Sequence, residues 1–328
     1  MTRIFDSGAE WGDTLDFDTV AGTAVASAAQ KYTGSYSYLL PGNGANLGKN
    51  FSALSELYFR ARVLITAIST ERDIIIIRNS TTTLAKVAYD PSVSLLKLYI
   101  STNLVATAGE SWPVSTWARL ELRYKIDNTV GVFTLLHDGV EVATFTGDTQ
   151  PGAATTADNI LLQGATSMSI YYDDIALNDT AGLADNSYPG NGRCLLIVGD
   201  ADGDSSQWTN SAGTSVNNYD YTNNIPPNPA VYVQDSVVGH QDLYNLAASG
   251  LLNATIRRTR VSGRGLDTVG GNSIILNLKA TTLHASGALP LTTSLARVAG
   301  PDYTTNPDTG LAWTISDLDA VQVGPEVA

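Results

Sequence analysis

The sequence predicts an all-β protein of two domains, and three observations carry that reading. Helical periodicity is almost absent from the 328 residues, while short runs rich in Val, Ile, Tyr and Thr recur between Gly, Asn, Asp and Pro. Several runs alternate apolar and polar residues with the period of two that turns one face of a strand toward a core. Near residue 180 the composition changes to Asp, Asn, Gly and Pro, the chemistry of turns and linkers. Length agrees, since a chain of this size suits two domains that each bury a core. The expected division is residues 1–182, a two-sheet jelly roll, and residues 183–328, a second and smaller β-sandwich.

The elements follow in order. Leu57, Phe59, Ala61, Val63 and Ile65 alternate with Tyr58, Arg60, Arg62 and Leu64, which predicts a strand. Residues 74–77 are continuously apolar and read as a strand covered on both faces. Residues 86–89 and 95–100 read as two strands joined across Asp90-Pro91. Leu120, Leu122, Tyr124 and Ile126 alternate with Arg119, Glu121, Arg123 and Lys125, predicting one buried and one solvated face. Residues 130–136 and 140–145 flank His137-Asp138-Gly139, and an Asp-Gly pair there predicts a hairpin, because both central residues of a type I′ turn need positive φ. Residues 160–163 and 167–177 complete the domain. In the last of these, Met168, Ile170 and Tyr172 share one face, and Ser169, Tyr171 and Asp173 the other. The second half opens on an apolar run at 193–199. A polar stretch over 200–229 follows, long for a structureless loop, and is expected to be functional or packed on a neighbour. Residues 243–252 suit a short helix, 316–319 a single helical turn, and 253–261, 273–279, 291–298 and 318–323 strands.

Thirty-two acidic residues against 19 basic ones give a net charge of −13, and only six of the cations are lysine. With no Lys/Arg run beyond Arg257, Arg258 and Arg260, nucleic-acid binding is not expected. The single cysteine, Cys194, excludes an intrachain disulfide and reads as a small core residue. The first residues show no signal segment and no apolar run approaches the roughly 18 residues of a membrane span, so folding in a cytoplasm without membrane insertion is expected.

Sequence motifs for chemistry are sparse. The stretch from Gly42 to Asn50 is out of register for a phosphate loop and reads as a Gly/Asn turn. His137, His240 and His284 are scattered, and no metal-protease or nucleophile-elbow string occurs. Asp173 and Asp174, adjacent on a strand, should point to opposite faces and so cannot flank one glycosidic bond. Terminal strands of a jelly roll lie side by side, which would bring Asp6 and Glu10 to Asp173 and Asp174. Such a set would repel itself unless neutralised, so a structural Ca2+ is expected there. Asp200, Asp202 and Asp204 alternate as in calcium loops but lack the Glu at the twelfth place, and read as a solvated turn. Trp112, Tyr89 and Tyr99 are the candidate sugar-stacking residues, with Trp112 exposed and Trp117 in the core. Fifteen tyrosines against six phenylalanines suit an interface, with Trp208, Tyr219, Tyr221 and Tyr232 the candidate contacts. Residues 207–235 are on this view dispensable for folding.

Two sets of residues carry a family resemblance. Phe5-Asp-Ser-Gly8, Trp117-Ala-Arg-Leu-Glu-Leu122, His137-Asp-Gly-Val-Glu-Val142 and Tyr172-Asp-Asp-Ile-Ala-Leu177 resemble the concanavalin A-like lectin/glucanase jelly roll of laminin G type, over about residues 1–180. Tyr188-Pro-Gly-Asn-Gly-Arg193, the Asp-Gly-Asp before Trp208, Asp242-Leu-Tyr244, and Trp313-Thr314 with Gly324-Pro-Glu326 resemble bacteriophage and prophage structural proteins of minor tail or capsid-decoration type. The resemblance implies a virion component assembled in the host cytoplasm. It would be non-enzymatic, would act through other virion proteins and through homo-oligomer contacts, and would have a host surface glycan as a further partner. A carbohydrate-binding adhesin is the alternative, and a glycoside hydrolase or lyase the third reading. The Glu-x-Asp-x-Glu strand of the glucanase branch is absent.

Overall fold

The computed structural model describes residues 3–42, 44–66, 69–164 and 169–328, which form two compact units, Met1–Leu195 and Leu196–Ala328. Ser167 and Met168, expected on the last strand of the first domain, lie outside the described residues. The all-β class is the observed one. Apart from a 3-10 turn (Asn218–Tyr221) and the helix α1 (Ile315–Ala320), the regular elements among the described residues are strands.

The first unit contains β1 (Arg3–Ser7), β2 (Thr19–Ala21), β3 (Val25–Ser27), β4 (Ser37–Pro41), β5 (Asn46–Leu54), β6 (Glu56–Ile65), β7 (Arg72–Asn79) and β8 (Thr82–Asp90). It continues with β9 (Leu95–Ile100), β10 (Asn103–Thr107), β11 (Ala118–Lys125), β12 (Gly131–His137), β13 (Val140–Gly147), β14 (Ala157–Gln163) and β15 (Ser169–Asn178). An eight-stranded antiparallel sheet runs β13-β12-β11-β6-β15-β4-β3, with β1 beside β15, and a seven-stranded one runs β10-β9-β8-β7-β14-β5-β2. The alternating residues of β6 and β11 do what their pattern demands: Phe59, Val63, Leu122 and Tyr124 meet Ile75, Ile77, Val87, Leu98 and Leu162 of the other sheet in one jelly-roll core. The Asp-Gly hairpin forms between β12 and β13, with φ of 49° at Asp138 and 91° at Gly139.

One expectation fails informatively. The polar face of β11 is not solvated, Glu121 being 1% exposed, and on neighbouring β6 Arg60 is 2% and Arg62 5% exposed. The Asp/Asn/Gly/Pro stretch after β15 crosses this face and is fastened to it. Arg60 Nε donates to the Asp174 carbonyl (2.8 Å) and its Nη1 to the Gly190 carbonyl (3.0 Å). Glu121 accepts from the Gly190 amide at 2.6 Å and pairs with Arg119 at 3.0 Å. Arg62 donates to Asn191, and Tyr188 packs edge-on against Tyr58 at 5.1 Å. A Cβ on Gly192 would come within 2.8 Å of the Arg60 guanidinium and push on its hydrogen bonds. The stretch expected to be a linker is therefore a strap belonging to the first unit, and the division falls after Leu195 rather than after residue 182. Cys194 sits in the strap without a strand around it, its amide donating to Asp174 at 2.7 Å.

In the second unit, β16 (Gly199–Ser206), β17 (Thr209–Asn210), β18 (Val233–Gln234), β19 (Asp242–Leu246), β20 (Ser262–Gly265), β21 (Ser273–Lys279), β22 (Leu283–Ala285), β23 (Leu289–Pro290), β24 (Ala296–Ala299) and β25 (Gln322–Val327) follow. The main antiparallel sheet runs β16-β19-β25-β21-β22, with β23 beside β21, and β17 pairs β18 while β20 pairs β24. The polar stretch 200–229 is ordered by the chain's own Asp242, which is fully buried. Its carboxylate accepts from the amides of Gln207 (2.7 Å) and Trp208 (2.8 Å), from Asn218 Nδ2 (2.6 Å) and from the Tyr244 hydroxyl (3.0 Å). Asn218 Oδ1 in turn accepts from Asn210 Nδ2 at 3.0 Å. Because Asp242 holds residues 242–246 between β16 and β25, the helix expected over 243–252 does not form. The turn at 316–319 does: Thr314 and Asp317 cap α1 reciprocally, which delays the following strand to Gln322. The strand expected over 253–261 does not form, since β20 begins only at Ser262, and the one expected over 291–298 is reduced to β24.

Truncation tests the strap. A chain ending at residue 185 loses hydrogen bonds to Arg60, Arg62, Glu121 and Asp174, each worth about 1.5–3 kcal/mol for a charged partner. Thermal melts of the 1–185 and 1–195 fragments should therefore differ by on the order of 10 °C in favour of the longer one. Equal midpoints would show the strap to be passive.

Candidate functional site

With the strap over the eight-stranded sheet, the outward face of the seven-stranded sheet is where the first unit presents a structured polar surface. Register defines it. Tyr99 of β9 lies opposite Lys86 of β8, Lys86 opposite Ile76 of β7, Ile76 opposite Leu161 of β14, and Leu161 opposite Gly48 of β5. Residues directly opposite one another share a face. Ile76 and Leu161, 5% and 4% exposed, lie outside the inter-sheet core and form an apolar floor. Gly48 keeps that floor flat: a Cβ there would press to 3.2 Å from Leu161 Cδ1.

Charged groups frame the floor on one side. Lys86 stands over the Tyr99 ring at 5.0 Å and pairs with Asp73 at 3.1 Å. Lys97 bridges Glu71 (2.7 Å) and Asp90 (2.6 Å), and the Tyr99 hydroxyl donates to Glu71. The Lys97 ammonium and the Ser92 donors hold Asp90 down at about 2, while burial and the Glu71 hydrogen bond push Tyr99 up to about 12. On the other side Asn159 Nδ2 donates to Asn50 Oδ1 at 2.8 Å, with Arg78 opposite Asn159.

Of the three expected sugar-stacking residues, only Tyr99 is on this face. Tyr89 is 2% exposed because it faces inward opposite Leu96. Trp112 is also 2% exposed, its ring 4.7 Å from His137. The two tryptophans exchange their expected places: Trp112 is core, and Trp117 is half-buried beside Tyr32. Lys86, Lys97, Asn50 and Asn159 were not singled out by sequence reasoning. The alternation of β8 and β9 assigns the lysines to one face, but which strands pair across it cannot be read from the chain.

The four acidic residues expected to share calcium are divided among other partners. A bulge at Asp173–Ala176, with Asp174 at φ 45°, undoes the strand alternation, so both aspartates reach Thr33. Asp173 Oδ2 accepts from the amides of Tyr32 (2.8 Å) and Thr33 (3.2 Å), and Asp174 Oδ2 accepts from the Thr33 hydroxyl (3.1 Å). Glu10 accepts from the Ser35 amide at 2.8 Å. Asp6, opposite Ala176, sits near enough to Cys194 to help raise the thiol, whose main perturbation is burial. Among the described residues no group of three or more His, Cys, Asp or Glu is arranged to hold a metal ion. Burial pushes Glu10 up to about 7, and burial with the Asp174 charge pushes Asp173 up to about 8, so protonation and backbone donors relieve the repulsion.

The expected interface residues also separate. Trp208 is buried at 8%, its indole donating to the His240 carbonyl at 3.0 Å. Tyr219 and Tyr221 are half-buried in the 3-10 turn, and Tyr232 is 43% exposed. Trp208, Asn210 and Asn218 surround Asp242, so residues 207–235 are part of the fold and not a removable arm. Asp202 accepts from the Asn217 amide and Asp204 pairs with Lys279, which ties both to the same unit.

No family model matches the chain, and no curated protein matches it. Among solved structures, it is similar to the cellulose-induced protein Cip1 at 14% identity, over 55% of this chain and 92% of that one, with a TM-score of 0.39. It is similar to the alginate lyase Aly36B at 13% identity, over 53% and 97%, with a TM-score of 0.38. It is also similar to the carbohydrate binding module CBM66 from Bacillus subtilis at 10% identity, over 48% and 94%, with a TM-score of 0.33. The likeness is of fold, to jelly-roll and lectin-like domains, and none of the three is a virion protein. The expectation that the chain is not an enzyme is corrected, since a lyase stands among these neighbours. That expectation rested on missing linear motifs, whereas chemistry on a sheet face draws on residues scattered over several strands.

The carboxylates make the first unit sensitive to pH. Groups raised from 4.5 to about 7 and from 3.8 to about 8 favour the folded state while protonated. Their contribution is fully present below about pH 4 and is lost as pH rises through 7 and 8. The melting midpoint should fall from pH 5 to pH 9, and Glu10→Gln should flatten the lower part of that slope. Calcium would hold the same carboxylates ionised, so a midpoint restored by calcium at pH 9 and lowered again by chelator would place a cation there.

Proposed function

We propose that the chain is a carbohydrate-binding, adhesin-like module whose sugar surface is the outward face of the seven-stranded sheet. The row Tyr99–Lys86–Ile76–Leu161–Gly48 is the observation that carries it. Sugar rings present apolar C–H faces and hydroxyl edges, so their receptors combine a flat apolar or aromatic floor with a few fixed polar groups. Here the row crosses five strands, about 19 Å at ~4.8 Å per strand, with Tyr99 at its aromatic end and nearly buried Ile76 and Leu161 at its centre, and Asn50 offers a planar amide beside it. The Glu71–Lys97–Asp90 and Lys86–Asp73 pairs hold the polar side chains in place before any ligand arrives, which lowers the ordering cost of binding.

Placement on a virion is a proposal of a different kind. It is supported by the resemblance of short motifs over nearly the whole chain to phage structural proteins. Under that reading exposed Tyr232 is a contact residue toward other virion proteins or a second copy.

A glycan array with the purified full chain, followed by titration of the best oligosaccharide, tests the sugar reading. Tyr99→Ala should weaken binding about tenfold, the effect of losing one aromatic contact worth ~1.4 kcal/mol. Binding untouched by Tyr99→Ala, or no glycan bound at all, would remove this face from consideration. Incubating the chain with the bound glycan and measuring released sugar ends decides whether binding is followed by turnover.

A further inference from the structure

The lysines on the sugar face are matched: Lys86 with Asp73, and Lys97 with Glu71 and Asp90. Arg78 is not. Its side chain has no hydrogen bond or ion pair among the described residues. A guanidinium stays charged at any ordinary pH, so one that no carboxylate neutralises is available to pair with an anion. Register places Arg78 opposite Asn159, and Asn159 opposite Asn50. These three therefore form a polar row parallel to the apolar floor and two residues along the strands from it, a separation of about 7 Å.

We infer that the ligand is an acidic glycan, an inference that rests on the sugar reading above. An oligosaccharide lying across this face from Tyr99 directs an exocyclic carboxylate or sulfate to the Arg78 fork, and Asn50 takes a neighbouring hydroxyl. The planar guanidinium matches both anions with two parallel hydrogen bonds, which a hydroxymethyl group on a neutral sugar cannot accept. The chain's charge of −13 opposes a polyanion at long range. At physiological salt that repulsion is screened beyond ~8 Å, while the Arg78 contact is short-range and keeps its strength.

The test uses the full-length chain at physiological salt, titrated with three oligosaccharide sets of equal length: uronate-containing, sulfated and neutral. At least one acidic set should bind tenfold or more tighter than the neutral set, and which one does so separates carboxylate from sulfate. Arg78→Gln should weaken binding of the preferred acidic set tenfold or more and abolish the preference, and Arg78→Lys should keep part of it. Equal affinity for acidic and neutral sets, or a preference that survives Arg78→Gln, overturns the acidic assignment and leaves the sugar reading standing. Absence of binding to all three sets overturns both.

Discussion

Buried Arg60 is the constraint on which the first domain depends. An arginine that is 2% exposed costs a large desolvation penalty, and burial does lower its proton affinity, opposed by the charges of Asp174 and Glu121 around it. It is tolerated because the carbonyls of Asp174 and Gly190 accept from it and because Glu121, on the neighbouring strand, takes the Gly190 amide. Two ends of one chain segment, the bulge in β15 and the strap beyond it, are thus fixed to the middle of the sheet. The strap closes one outer face of the sandwich with backbone groups. The other outer face carries the row from Tyr99 to Gly48.

The second unit solves a related problem with the opposite charge. Its apolar core is small, centred on Leu278, Trp313 and Val321. Much of its order comes instead from Asp242, which gathers two amides, an asparagine and a tyrosine into one network. Gly324 is needed beside it, since a Cβ there would lie 2.1 Å from the Asp242 carbonyl. A fully satisfied buried polar network specifies a single arrangement, and removing one member leaves the remainder unpaired. This gives a physical role to Asp242-Leu-Tyr244 and Gly324-Pro-Glu326, which as sequence were only a resemblance.

Strands with strict alternation were legible in the sequence, because period-two burial is a local property. β6, β9 and β11 are cases, and the Asp138-Gly139 hairpin was legible for the equally local reason of positive φ. What lies above a polar face is not local. Nothing in Arg60, Arg62 and Glu121 reveals that the strap will bury them, and the face of β11 that holds Glu121 read as solvated. Trp112 and Trp117 were exchanged for the same reason: an aromatic beside a proline is buried or exposed according to what folds over it. Asp173 and Asp174 misled through a bulge, which adds one residue to a strand and erases the parity on which the reading relied. The proposed sugar face was half legible, with Tyr99 found and its partners Lys86, Ile76 and Leu161 concealed in the pairing of distant strands.

Amide hydrogen exchange on the full chain, with and without a bound oligosaccharide, tests most directly whether one face is closed by the strap and the other recognises ligand. The account predicts slow exchange at Gly190 and Cys194 in both states, comparable with β15, and ligand-induced protection confined to residues 76–99 and 159–161. Fast exchange at Gly190 and Cys194, or ligand protection appearing on β11 instead, would contradict it.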